Sequence, residues 1–367
     1  MSSHYAAPAV VGAIVCMLLW GPGLMRATGI GSLRMLLLTG FSVFALFTDD
    51  APVAYLSLAV AAAVHAWVTW RHSKTAAVML AFSTVLTVAI ALALFADHVV
   101  LAFVASIVVI ALRSGALPLH VGATHLCERA PALQTQQMGS VIAIVFLHLR
   151  FVDHHPVAFD WAPVLIGIGA VSTLLGALLA LASPDVRTFF GAVTAMHGGM
   201  LVTAVATAGQ HHYAAALFAA LTMGVAMGGL GLTVTALESR CGPVPLTGGL
   251  GGRAQAFPRL AIAFLFFGLA GVGAPGTAGF LSDDLLLHAL WQGSVIGSVV
   301  VVVATALLAV GILRAWTQVF LGPPSLSLAA DLEPRERWSA LVLFATLLIL
   351  GTAPILLVGP ATALFGT

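Results

Sequence analysis

Residues 258–292 read PRLAIAFLFFGLAGVGAPGTAGFLSDDLLLHALWQ, a 35-residue apolar stretch interrupted near its middle by Gly-Val-Gly-Ala-Pro-Gly-Thr-Ala-Gly at 271–279. A helix crosses the bilayer core in about 20 apolar residues, so this stretch is too long for one straight crossing. Proline removes a helix hydrogen bond and glycine loosens the backbone, which predicts two half-helices around an extended link. Backbone left unpaired at that depth persists only where protein or water covers it. The stretch therefore predicts a helical membrane protein with an interrupted crossing.

A second long stretch, 98–126, carries Leu-Pro-Leu-His at 117–120 and asks for the same treatment. The rest of the chain agrees: 60% of its 367 residues are apolar and 7% charged, a balance no water-soluble domain of this size could carry on its surface. Alternating ten-residue strands are absent, so a closed barrel is excluded. Apolar runs fall near 8–25, 33–48, 51–70, 76–96, 98–126, 131–149, 162–182, 188–208, 212–236, 258–292, 294–320 and 338–360. The expected fold is an all-α polytopic membrane protein of about 12 transmembrane helices, two of them discontinuous. We divide it into N-terminal helices (1–97), a first half with the break at 117–120 (98–208), a second half with the break at 271–279 (209–322) and a C-terminal loop and helix (323–367).

Charge placement orients the chain. With the N-terminus outside, the cytoplasmic hinges hold Arg26, Arg34, Arg71, Lys74, Arg129, Arg187, Arg240, Arg253, Arg259, Arg335 and Arg337, against Arg150 alone on the other face. That face carries Asp49, Asp50, Asp97, Asp153, Asp160 and the pairs His154–His155 and His211–His212. The positive-inside rule then puts both termini on the periplasmic side of a bacterial inner membrane. No basic residue precedes the first apolar run, so that run reads as a retained helix. Cys16, Cys127 and Cys241 are too scattered for a disulfide framework or metal site, and no basic cluster suggests nucleic acid. No nucleophile triad, phosphate loop or cofactor motif appears, so no catalytic chemistry is expected in the chain itself.

Paired interruptions in the two halves of a transporter point to an ion or substrate path; the plainer alternative is a pair of packing kinks. Ionisable groups lie beside both. Arg113 precedes Pro118 within its run, and Asp283 and Asp284 follow the second break. Charges there tend to line wet cavities or pairs, though Arg113 could snorkel to the membrane edge and the aspartates could cap a helix. His120, His125, His148 and His197 lie in or near helices, each either titrating or serving as a hydrogen-bonded structural group. Glu238 reads equally as an entry acid or an edge cap, and Asp185 with Arg187 as an anchor of the cytoplasmic hinge or a partner contact.

Five ordered blocks between residues 97 and 322 resemble a known family. Leu112-Arg113-Ser114-Gly115-Ala116-Leu117-Pro118-Leu119-His120 with Ala130-Pro131 is similar to its K-S-A-x-x-P-x-H segment and A-P loop. Ser183-Pro184-Asp185-Val186-Arg187, with Ala195-Met196-His197-Gly198-Gly199-Met200 after it, resembles its D-[IL]-K-R hinge and following helix. Gly248-Gly249-Leu250 before Pro258, the run Gly273-Ala274-Pro275-Gly276-Thr277-Ala278-Gly279-Phe280-Leu281-Ser282-Asp283-Asp284, and Arg314 to Gly322 complete the set. The family is the proton-conducting antiporter-like one: large membrane subunits of respiratory complex I, multisubunit cation/proton antiporters and membrane hydrogenases, and the membrane subunit of DAB-type inorganic-carbon accumulators.

The resemblance implies an inverted-repeat architecture and a proton path along lysines and acids at the bilayer midplane. Carried over residue by residue, it puts Arg113 at the first broken-helix lysine and Asp283 at the second break's lysine or glutamate, but Ile142, Met223 and Met227 at the usual ionisable positions between them and Ser106 at that of an acid. Four runs precede 98–126, two fewer than the family has, and Lys74 is the only lysine. Arginine keeps its proton, so it biases neighbours rather than carrying. The expected path is Arg113, His120, His148, His197, Glu238, Asp283 and Asp284, with Pro118, Gly273, Pro275, Gly276 and Gly279 shaping the links. The function expected is a subunit that uses the proton-motive force to drive a large cytoplasmic-face partner, leaning to a DAB-type carbon accumulator whose partner holds zinc. A complex I-like or hydrogenase subunit, or a non-conducting anchor, are the alternatives.

Overall fold

The computed structural model describes residues 3–19, 32–155, 161–208, 213–324 and 329–354; Arg26, Asp160 and His211–His212 fall outside them. Fourteen helices follow in order: α1 Ser3–Leu19, α2 Ser32–Phe47, α3 Ala51–Thr69, α4 Lys74–Phe95, α5 Val99–Ser114, α6 Val121–Arg129, α7 Pro131–His154, α8 Ala162–Ala182, α9 Val186–Ala208, α10 Tyr213–Cys241, α11 Pro258–Gly271, α12 Ala278–Gly293, α13 Val295–Phe320 and α14 Pro334–Thr352. Among the described residues there is no strand, only an isolated bridge between Asp185 and Pro245. Seven of the helices are by length and composition long and apolar enough to cross a membrane. The protein is thus an all-helical, multi-pass membrane protein.

Three helix starts, those of α3, α4 and α13, carry a side-chain cap. Asp50 accepts from the Val53 amide at 3.0 Å, Ser73 from Ala76 at 3.2 Å and Ser294 from Gly297 at 3.1 Å, each satisfying a free first-turn donor of its helix. Two helices outrun their apolar runs: α7 continues to His154 and α10 to Cys241. Arg150, Asp153, Glu238 and Arg240 continue these helices, and Arg150, Glu238 and Arg240 are held there by Thr48 O, Arg187 and Glu336, so charges that hydropathy reads as an end are kept within the helix.

Burial is graded across the bundle. α9 and α10 are enclosed along almost their whole described length, and α10 packs on α1, α7, α9, α11, α12 and α14. α8 and α13 turn one apolar face outward, with Val164, Val171, Leu175, Val299, Val302 and Val310 exposed. Such faces would be untenable in water and are covered by lipid chains in a membrane.

Two links interrupt the run of long helices. α5 ends at Gly115, whose φ of +81° is a left-handed value that a side chain resists, and the chain passes through Leu117-Pro118 before α6 begins. α11 ends at Gly271 and α12 begins at Ala278. The proline and glycine positions read from the sequence, Pro118, Gly273, Pro275 and Gly276, all lie inside these links, while Gly279 sits in the first turn of α12.

Candidate functional site

Arg113 occupies the last turn of α5 and is completely buried, so it does not snorkel. Its Nη2 donates to Thr87 Oγ1 at 2.8 Å and its Nε reaches Ser83 Oγ at 3.4 Å, both hydroxyls from α4. His65 of α3, also buried, lies within electrostatic range. The guanidinium is therefore dressed by hydroxyls, and among the described residues no carboxylate pairs with it. Ser83 also lines a cavity of about 10 Å³ shared with Gln134 and Gln137 of α7, room for roughly one water. The buried amides of Gln134 and Gln136 find no protein partner among the described residues, and Gln134 borders this cavity, where one water would satisfy it.

Two turns back on the same face of α5, Ser106 Oγ lies 2.7 Å from Nδ1 of His148 on α7. Both are buried, and the Phe103 ring sits 5.5 Å from the imidazole. Ser106 thus stands opposite a titratable group from the position where the family resemblance expects an acid.

His197 of α9 touches the second link. Its Nδ1 lies 2.8 Å from Val193 O and its Nε2 2.8 Å from Gly271 O, the last carbonyl of α11. Both neighbours are acceptors. A neutral imidazole has one N–H and would turn a lone pair toward one of them; the doubly protonated ring donates to both. Gly271 O has no donor of its own helix to fall back on: four residues on stands Pro275, which lacks an N–H, and the Ala274 amide bonds Leu269 O at 3.1 Å. A side-chain carbon added at Gly271 would lie 3.0 Å from His197 Nε2 and 3.1 Å from the Met227 methyl, so His197 and Met227 both face Gly271.

Asp283 reaches back to the same link from one and a half turns into α12. A Cβ built on Gly273, whose φ is +77°, would lie 2.7 Å from its Oδ2. Capping is excluded for both aspartates, because α12 starts at Ala278 behind an N-cap at Thr277. The two part company, with Asp283 half-buried and Asp284 exposed. His197 and Asp283 thus meet one link within three residues of each other, at Gly271 and Gly273.

The remaining expected residues sit apart from this set. His120 is half-buried with Nδ1 3.2 Å from Pro118 O, a local contact within the first link. His125 faces Glu128 one turn on at 3.5 Å. Glu238, near the end of α10, accepts from Arg187 Nε at 2.6 Å, and Arg187 also donates to Glu128 O at 2.9 Å, tying α6, α9 and α10 together. Asp185 caps α9 through the amides of Arg187 at 3.0 Å and Thr188 at 2.9 Å. The Ser83, Thr87 and His65 surroundings of Arg113 and the glutamines of α7 were not singled out from sequence.

One further contact joins the links. A side-chain carbon at Gly198 would lie 2.7 Å from Ser114 O and from Ala116 N, so α9 lies directly on the first link there, one residue beyond His197.

The fold and these contacts define a multi-pass membrane protein whose buried polar groups gather at two helix-to-helix links. The chain belongs to the family described as NADH:quinone oxidoreductase/Mrp antiporter, TM, whose model matches residues 24–309. NADH-quinone oxidoreductase subunit M of Rhodobacter capsulatus is 28% identical over 273 residues, which cover 72% of this chain and 52% of that protein. Subunit N of Rhodococcus opacus is 25% identical over 217 residues, or 58% of this chain and 40% of that protein. The chain spans about half the length of the curated relatives it matches. In fold it is similar to a chain of respiratory complex I from Thermus thermophilus, with a TM-score of 0.83 at 22% identity, covering 98% of this chain and 83% of that one. It is also similar to a chain of the Mrp complex from Dietzia sp., with a TM-score of 0.76 at 19% identity, covering 98% and 84%.

Proposed function

We propose that this chain is a proton-conducting, energy-coupling subunit of a larger complex in a bacterial inner membrane. The observation that carries the reading is His197: its Nε2 contacts the last carbonyl of α11, and it faces Gly271 together with Met227, where the family resemblance expects a lysine. A titratable ring thus stands where the aligned residue cannot exchange a proton. On this reading α5 with α6 and α11 with α12 are halves of two discontinuous crossings, so the fourteen described helices make 12 crossings with both termini outside. Arg113 sets the local potential, His148 and His197 relay, and Asp283 exchanges protons at the second link; the water-sized cavity beside Ser83 supports a hydrated approach to Arg113.

Relatives named as subunits of NADH-quinone oxidoreductase, and neighbours in complex I and the Mrp complex, support assembly with other proteins. For the partner we favour a large cytoplasmic, zinc-containing subunit of the DAB-type carbon-accumulating kind over a quinone or hydrogenase module. What supports this is the replacement of three usual ionisable positions by buried Ile142, Met223 and Met227. The same apolar trio favours the second reading, a non-conducting anchor.

The test is proton flux driven by an imposed potential in proteoliposomes holding the chain with its co-purified partner. Asp283→Asn is expected to abolish flux and the partner's coupled activity while leaving assembly intact. Wild-type flux in that variant would sink the path through Asp283, absence of flux in the wild-type complex would sink the conduction reading, and mass spectrometry with zinc analysis of the co-purifying subunit decides between partners.

A further inference from the structure

α11 and α14 meet at the rings of Phe266 and Phe344, whose centroids are 4.0 Å apart. The space between them is an open cleft of about 310 Å³ with Ile262, Ala263, Phe266, Leu341 and Phe344 along it and two arginines, Arg259 and Arg337, at one end. The apolar part is open to the surroundings, with Ile262 69% and Leu341 50% exposed. Trp338, 63% exposed, follows Arg337 directly, at the level where indole rings favour the membrane–water boundary.

The charged end is basic by construction. Both helices begin there, α11 at Pro258 and α14 at Pro334, and carboxylates cap their first-turn amides, so the positive charge left at the cleft is that of the two guanidinium groups. The carboxylates nearby are already engaged. Asp331 accepts from the Arg259 and Leu260 amides at 2.7 and 3.2 Å, and Glu336 accepts from both terminal nitrogens of Arg240 and from the Glu333 amide. Among the described residues neither Arg259 nor Arg337 has a carboxylate in ion-pair contact through its guanidinium. Paired guanidinium groups above an apolar groove between two membrane helices match one ligand chemistry, a phosphate joined to an acyl chain.

We propose that this cleft binds an anionic phospholipid, its phosphate between Arg259 and Arg337 and one acyl chain along Ile262, Phe266 and Leu341. The site does not depend on proton conduction.

The test places the photo-crosslinker p-benzoylphenylalanine at Leu341 in the full chain, expressed with its partners, and identifies the adduct by mass spectrometry after illumination of membranes. The expected adduct is phosphatidylglycerol or cardiolipin, enriched over its share of the membrane, and it falls several-fold in an Arg259→Gln/Arg337→Gln variant. Adducts to another protein, to residues 355–367 of this chain, or to lipids in proportion to their abundance overturn the proposal. If the double variant does not accumulate, the crosslinker chain in nanodiscs of phosphatidylcholine and phosphatidylglycerol decides alone. Labelling enriched in phosphatidylglycerol supports the site, and labelling in proportion to the mixture overturns it.

Discussion

Replacing His197 with leucine isolates the contact between α9 and the second link. Nδ1 and Nε2 each lie 2.8 Å from a carbonyl, but the two losses are unequal. Val193 O stands four residues before His197 in α9 and keeps its helical partner, the His197 backbone amide. Gly271 O has no such reserve, because Pro275 offers no N–H and Ala274 is engaged with Leu269. His197→Leu therefore orphans one buried acceptor, at a cost of about 1–3 kcal/mol. If that cost falls on local opening of the link, amide exchange across 271–278 quickens by about 5- to 150-fold, at roughly 1.4 kcal/mol per decade. Hydrogen exchange read by mass spectrometry on the detergent-solubilised chain measures this, with His148→Leu as the control that leaves the link untouched. His197→Gln keeps one donor and is expected to fall between. Exchange in His197→Leu within twofold of wild type across that segment would refute the assignment of His197 as the partner of Gly271.

Other outcomes follow from the same contacts. Gly273→Ala puts a side chain at φ +77° and within 2.7 Å of Asp283 Oδ2, so it is expected to cost about 1–2 kcal/mol in backbone strain and to reduce proton flux; thermal unfolding and the liposome flux assay report the two. Arg187→Ala leaves the Glu238 carboxylate, 7% exposed, without its cation, and the part-exposed partner scales the loss to about 1–3 kcal/mol. Adding Glu238→Gln to that variant is expected to restore part of the melting temperature, and no recovery in the double variant would deny the pair its role. Ser106→Ala removes the 2.7 Å partner of His148 Nδ1 and is expected to lower stability by about 1–2 kcal/mol, read by thermal unfolding.

The links were legible because proline and glycine announce a broken helix wherever they interrupt an apolar run: Pro118 and the 271–279 stretch lie at the ends of α5 and α11. Most helix boundaries were legible from length alone. The dressing of the charged and titratable groups was not. Ser83, Thr87 and Ser106 are hydroxyls on apolar helices, and a hydroxyl that satisfies itself on the preceding turn leaves no pattern to read. Four histidines in or near helices looked alike in sequence, and only the contact of His197 with the last carbonyl of α11 singles it out. Glu238 and Arg187 lie 51 positions apart and meet because α9 and α10 are neighbours. Charge alone grouped Asp283 with Asp284, whereas consecutive helical residues face about 100° apart, which sends one inward and the other out.

Residues 197 and 198 are consecutive on α9, yet the first bonds the end of α11 and the second lies against the turn after Ser114. Their fixed spacing works like the two arms of a rocker. A slide or roll of α9 that loosens its seat on one link moves its seat on the other in the same stroke.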